Sequence, residues 1–252
     1  MPRIPSRSAS TFSFLGGGGG RVPPVVGLLI AATFIASIVG ALGMHSGFPL
    51  VAWAALVPSA VLHGQVWRLV TWVFFELSPF SLIFGCLMFY WFGRDLAYRW
   101  GPLRFVLYYL TGAAVIGGLV VALSRVYAPV GEMVYTGTWP IQEGIIILWA
   151  AYYPARQMNI YFVLPLGGRN LILFTIAGTV LLAIYSGLLA FVPHFIAIAL
   201  ALAWLWLPSP RALWIEARLR GMEKKRRATH LKAVPRDADP SDRDPPGGRW
   251  LN

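Results

Sequence analysis

A chain of 252 residues that is 57% hydrophobic and only 12% charged, with 11 Trp, 10 Tyr and 15 Phe, cannot clothe a water-soluble surface. Its net charge of +11 would suit nucleic acid, but the basic residues sit between long apolar runs and in a tail, so the composition points to a bilayer instead. A single cysteine, Cys86, excludes an internal disulfide framework and cannot form a zinc site alone.

Residues 1–21 carry Arg3, Arg7 and Arg21 among Ser, Pro and the run Gly16 to Gly20, the composition of a flexible basic linker. The run "VPPVVGLLIAATFIASIVGALG", residues 22–43, outlasts the h-region of a signal peptide and has no convincing cleavage site, so it reads as a retained membrane helix. Residues 44–66 read as a loop of mixed character that lies in the interface. A hydrocarbon core needs ~20 apolar residues per helix, and further spans are predicted at 70–92, 103–123, 139–153, 170–188 and 190–207, six in all. The fourth is short and opens at Pro140, where a missing N–H costs nothing. A helix of that kind belongs inside a bundle, beneath a loop or cavity.

The expected fold is an all-α polytopic membrane protein with a six-helix domain over 22–207 and a tail over 208–252. The tail begins as a basic amphipathic segment and ends in Pro, Asp and Gly, which suits attraction to anionic membrane lipid or simply fixes topology. With the N-terminus inside, every Lys and Arg except Arg68 and Arg125 falls on the inner side, so both termini are predicted cytoplasmic.

Residues 65–105, "QVWRLVTWVFFELSPFSLIFGCLMFYWFGRDLAYRWGPLRF", carry Trp67-Arg68, an aromatic-rich helix ending at Gly93, and Gly101 followed by Arg104. This stretch resembles the first loop, second helix and third-helix start of the rhomboid superfamily, and the likeness extends more weakly to residue 207. The resemblance implies a Ser–His dyad, with GxSG opening helix four, HxxGxxxG in helix six, and HxxxxHxxxN in helix two to help hold the oxyanion. Aligned without gaps, Glu76, Ser81 and Gly85 occupy the two His positions and the Asn position. Gly137, Thr138, Trp139 and Pro140 occupy GxSG, with Trp139 at the serine. Only His194 is kept, followed by Ala197 and Ala201 where the family has glycines, so a small-residue face for close helix approach remains.

Acyl transfer by a hydroxyl needs a base within hydrogen-bond reach and donors where the oxyanion forms. Indole has no nucleophilic atom for this role, so Trp139 cannot replace a serine. Thr136 and Thr138 flank the position without an evident base, and Ser186 is separated from His194 by Pro193 and a predicted turn. The resemblance therefore implies a member that keeps the fold without the protease chemistry, similar to derlins and inactive rhomboids, which bind transmembrane segments of client proteins. Two alternatives stand beside it: an intramembrane serine-type endopeptidase with an unusual nucleophile, and a structural or lipid-interacting protein.

Glu143 lies four residues after Trp139, so the two share a helix face one turn apart. A charge at a helix centre costs ~2.5–3.5 kcal/mol on insertion scales, so this carboxyl calls for neutralisation or a partner. The candidates are His194 and Arg68, with Gln142 beside it on the chain. Glu143, Gln142, Glu76 and His194 then form either a polar cavity that grips a client helix or a buried network that fixes packing. A proton path is not favoured, because no repeat or broken helix is evident. Glu76 has a plainer reading, at the outer interface and facing water. His45, His63 and His230 fall in loop or tail, and with no nearby carboxylate or thiol they make no metal site. No cofactor is called for. Trp67 reads as an interfacial anchor, Arg68 as a donor that locks loop carbonyls, and Cys86 as a packing residue.

Overall fold

A computed structural model describes residues 22–160 and 164–206. The basic linker and the basic tail lie outside the described residues. Helix α1, Pro24–Ser46, starts with proline in its first turn and ends where Gly47 turns left-handed at φ 79°. Its buried positions Val26, Leu29, Thr33, Ser37, Gly40 and Gly43 recur every three or four residues, while Leu28, Phe34, Ile35 and Leu42 are exposed. The inward face is the smaller and more polar one, as expected of a helix whose outside meets lipid.

The loop expected over 44–66 is instead built on two short helices, α2 (Leu50–Ala54) and α3 (Pro58–Leu62). The first of them lies against α1 because Gly40 has no Cβ: a methyl there would stand 2.8 Å from Val51 Cγ2 and 3.0 Å from Phe75 Cδ1.

The second predicted span, 70–92, is not one helix. A short α4 (Arg68–Thr71) runs into a 3-10 turn, Trp72–Phe74; a second piece comprises α5 (Pro79–Met88), a π turn at Phe89–Gly93 and α6 (Arg94–Trp100). The two pieces are bent by 96°. Pro79 is the physical reason, since the residue before a proline is pushed out of the helical region, and Ser78 sits at φ −107°, ψ 129°. Gly93 lets Phe105 approach, with a would-be methyl 3.1 Å from Phe105 Cζ. Gly101, at φ 85° and ψ 158°, makes the corner into α7 (Pro102–Val126) in a region that essentially only glycine adopts.

Beyond α7, Tyr135 and Leu56 exchange both backbone hydrogen bonds at 2.9 Å, tying the first loop to the segment before α8. The Tyr135 hydroxyl donates to the Leu189 carbonyl at 3.0 Å, and burial pushes its phenol up to about 12, so it stays a neutral donor at physiological pH. Helix α8, Trp139–Tyr152, is buried at every position from Pro140 to Ala150. A helix apolar all round belongs at a centre, and its neighbours approach it through missing side chains. A methyl on Gly144 would stand 2.9 Å from the Tyr108 hydroxyl and 3.9 Å from Ala201 Cβ, and one on Gly168 would collide with the Ala150 carbonyl.

After α8 the chain makes an antiparallel hairpin, β1 (Gln157–Ile160) with β2 (Leu164–Gly167), Gln157 opposite Gly167. This hairpin is absent from the sequence-based expectation, which is otherwise all-α. Helix α9 (Gly168–Ser186) breaks at Gly187, φ 95°, and a 3-10 turn leads to α10 (Val192–Trp206).

Six spans were expected. Among the described residues four helices are long and apolar enough to cross a membrane, or five if the bent pair is one span. At 14 residues α8 is short of the roughly 30 Å of hydrocarbon, because each residue rises about 1.5 Å.

The first loop is locked by Arg68, which is 7% exposed. Its Nη1 donates to the carbonyls of Ala52 and Ala55 at 2.6 Å each, and its Nε donates to Gln65 Oε1 at 2.6 Å. Trp67 stacks on Trp53 with ring centroids 5.1 Å apart and donates to the Trp53 carbonyl at 3.2 Å. Arg68→Ala strands the buried Ala55 carbonyl and frees the part-buried Ala52 carbonyl, and is expected to cost about 1–3 kcal/mol, read as a lowered unfolding midpoint in detergent; an unchanged midpoint would remove this role.

Candidate functional site

The first turns of α8 hold two polar clusters on different sides of the helix. In the first, Glu76 Oε1 accepts the Thr138 backbone N–H at 2.6 Å and the Thr138 hydroxyl at 2.9 Å. Gln142 Nε2 donates to the same hydroxyl oxygen at 2.6 Å. The Glu76 backbone N–H is fixed in turn by Ser37 Oγ of α1, at 2.9 Å. A helix N-terminus presents unpaired N–H groups and favours negative charge, so this carboxylate sits where the backbone stabilises it. The plainer reading of Glu76 as a water-facing interface residue is corrected: it is 9% exposed. Thr138, read as having no evident base, has this carboxylate against its hydroxyl.

In the second cluster, Glu143 Oε1 receives His194 Nδ1 at 3.0 Å and the Thr179 hydroxyl at 2.7 Å. His194 stacks on Phe191, centroids 4.6 Å apart. Glu143 is 7% exposed and Thr179 3%. Of the two partners expected for Glu143, His194 is in place and Arg68 is not, its guanidinium being taken by the loop carbonyls. Thr179 is missed by sequence reasoning; the signal was Thr175 and Thr179, four apart on one face of an apolar helix.

Trp139 is half-buried and stacks on Phe84 at 5.7 Å, and Phe84 stacks on Phe80 at 5.8 Å. Trp139 and Glu143 line a hollow of about 270 Å³ between α5 and its π turn, α8 and α9, walled by Phe84, Met88, Phe174 and Leu182 among others. Gln142 faces away, onto a separate cavity of about 10 Å³ that Thr33, Cys86 and Tyr109 also line. The single cavity expected from Glu143, Gln142, Glu76 and His194 is therefore two clusters. Among the described residues, the buried side-chain oxygens Gln142 Oε1 and Glu143 Oε2 are left without a hydrogen-bond partner.

The remaining candidates take structural places. Ser81 lies half-buried in the first turn of α5, and a methyl on Gly85 would stand 3.3 Å from Gln142 Nε2 and 3.4 Å from Thr138 Oγ1. Ala197 and Ala201 are 3% exposed and form the face of α10 that meets Gly144. Ser186 is the exposed last residue of α9. His45 and His63 bond to carbonyls of their own helices at 2.8 and 2.7 Å, while His230 falls outside the described residues. An unforeseen link closes the far end of α8, where Asp95 accepts Trp149 Nε1 at 3.0 Å and Arg156 Nη1 at 2.5 Å.

In serine-type acyl transfer the imidazole stands between hydroxyl and carboxylate, so that it can take the hydroxyl proton. Here one carboxylate oxygen stands between imidazole and hydroxyl. The Thr179 hydroxyl lies within reach of that oxygen and of its own helix carbonyl at Thr175, 3.0 Å away. An oxyanion forming at the start of α8 would meet the Glu76 carboxylate already on the Thr138 amide.

A family profile described as "Rhomboid domain" matches residues 63–211. A search of curated proteins finds no match to the chain. Because Glu143 shares its Oε1 with two partners, Glu143→Gln should unfold in detergent within about 1 kcal/mol of the parent. Glu143→Lys sets an ammonium beside His194 and should cost about 3–5 kcal/mol. Equal midpoints for the two variants would contradict the interior pairing.

Proposed function

The chain belongs to the rhomboid family, whose profile covers more than half of it, and from that membership we propose a non-proteolytic role: holding an apolar membrane segment of a client protein in the hollow between α5 and α9. The protein is integral to the membrane. The observation that carries the reading is the indole of Trp139 at the position aligned with the nucleophile, stacked on Phe84 with ring centroids 5.7 Å apart. An aromatic stack in place of the serine hydroxyl and a carboxylate on the helix N-terminus, where oxyanion donors would be needed, support this reading.

What remains of the site is a surface for binding. The hollow opens beside Phe174 and Leu182, 52% and 56% exposed, on a helix whose other outward residues are also large and apolar. Side chains of a membrane helix fit such a wall by dispersion contacts, the main source of association where lipid is as apolar as protein. Derlins and inactive rhomboids, which the helix-two sequence resembles, bind clients in this sense. The inner-side placement of nearly all Lys and Arg supports a topology with both termini cytoplasmic.

Purified protein in vesicles with a biotinylated leucine-rich membrane helix tests the reading. A photo-crosslinker at Leu182 is expected to capture the helix, and one at Leu103, 71% exposed on α7 away from the hollow, is expected not to. Equal capture at both positions, or adducts with lipid alone at Leu182, would contradict it. A fluorophosphonate probe is expected to leave the protein unlabelled; labelling that disappears in His194→Ala would establish the protease reading instead.

A further inference from the structure

On a side of α8 away from the hollow, Pro140, Ile141 and Gly144 meet Gly112 of α7 and Ala201 of α10 around a groove of about 200 Å³. The groove opens outward beside Val115 and Trp204, 48% and 58% exposed. Tyr108 is the lining residue nearest the start of α7. A chain of aromatic contacts leads from it to a cation: Tyr108 packs on Trp100 at 5.2 Å, Trp100 on Tyr152 at 6.1 Å, and the Arg99 guanidinium lies over the Tyr152 ring at 4.5 Å. Arg104 precedes Tyr108, Thr111 and Val115 by four, seven and eleven residues, on one face of α7. Its side chain leans toward the helix start, at the same end of the groove. Both arginines are exposed. Neither has a carboxylate partner among the described residues. Glu76 and Glu143 are engaged on α8, Asp95 accepts Trp149 and Arg156, and Glu132 follows the opposite end of α7.

We propose that this groove is a binding site for an anionic phospholipid, with an acyl tail in the groove and the phosphate on Arg99 and Arg104. The two parts of the site differ in chemistry as the two parts of a lipid do. The groove is lined almost wholly by aliphatic and aromatic groups, and its end carries two guanidiniums with no acid to pair them. One turn of an α-helix, ~10 Å across and ~5.4 Å long, already occupies more than this volume, whereas a single hydrocarbon tail is narrow enough to lie in it. A guanidinium holds phosphate through two parallel N–H donors, and the contact is stronger than one between neutral groups. A zwitterionic headgroup brings its own cation to the same place and loses that gain, so the site favours a net negative lipid. Small residues along the floor let the tail approach the helix backbones closely, which is where dispersion contacts are made. The site is separate from the hollow and independent of client binding.

Vesicles holding the full chain and a trace of phosphatidylglycerol or phosphatidylcholine, each with the same diazirine-bearing tail, test the site when they are irradiated and the adducts mapped by mass spectrometry. Phosphatidylglycerol is expected to label Val115 and Leu200 roughly tenfold more than phosphatidylcholine, as two basic residues near the surface would give. Leu28 and Ile35 of α1, 69% and 61% exposed, are expected to take the two lipids about equally and serve as the reference for lipid that merely surrounds the protein. Replacing both arginines, Arg99→Gln with Arg104→Gln, is expected to lower labelling of the groove by phosphatidylglycerol to the phosphatidylcholine level. Val115→Trp fills the groove from an outward position and is expected to remove the Leu200 adduct while the unfolding midpoint in detergent is kept. Equal labelling of the groove by the two lipids overturns the proposal. So do phosphatidylglycerol adducts as dense on α1 as in the groove, or a double arginine variant that labels like the parent.

Discussion

A carboxylate among hydrocarbon side chains is tolerated only when something neutralises or solvates it, and α8 carries one such group into the middle of the molecule while a second closes its N-terminus. Glu143 is 7% exposed and takes an imidazole and a hydroxyl on one oxygen; Glu76 is 9% exposed and takes an amide and a hydroxyl on one of its own. These contacts join α8 to α9, α10 and the bend before α5, and α8 and α9 also wall the hollow. Helix positions follow from them together with the glycines that let backbones approach: Gly144 against α10 and Tyr108, Gly168 against the end of α8. Packing of small faces sets the distances between helices, and the paired carboxylates set their register.

The same pairing decides the chemistry. Where a histidine assists hydrolysis through a serine, the imidazole stands against the hydroxyl so that it can accept the proton. In this protein the carboxylate holds the middle place. The aromatic stack of Phe80, Phe84 and Trp139 covers the position where attack would occur. The polar groups at the start of α8 tie the helix to its neighbours on two sides.

Much of this was legible in the chain. Five of the six predicted spans end within a few residues of helices in the structure, because long apolar runs bounded by Pro, Gly and Arg leave little freedom. The bend at Ser78-Pro79 was hidden, since the residues on both sides of it are equally apolar and the run reads as one span. The hairpin at Gln157–Gly167 was hidden for the opposite reason, too few residues to show a period. At the site, four-residue spacing put Glu143 and Trp139 on one face and made His194 a partner for the carboxylate. The rest was not readable. Glu76 reaches Thr138 only because the chain turns by 96°, and Thr179 comes to Glu143 through the packing of α9 on α8. Contacts across such distances in sequence are fixed by tertiary packing, which no local pattern carries.

The central claim is that His194 and Glu143 pair in the interior of the bundle. A double-mutant cycle in detergent measures it directly, comparing unfolding free energies of the parent, Glu143→Ala, His194→Ala and the double variant. The account predicts a coupling on the order of 1–3 kcal/mol between the two sites. Additive effects of the two substitutions would contradict it.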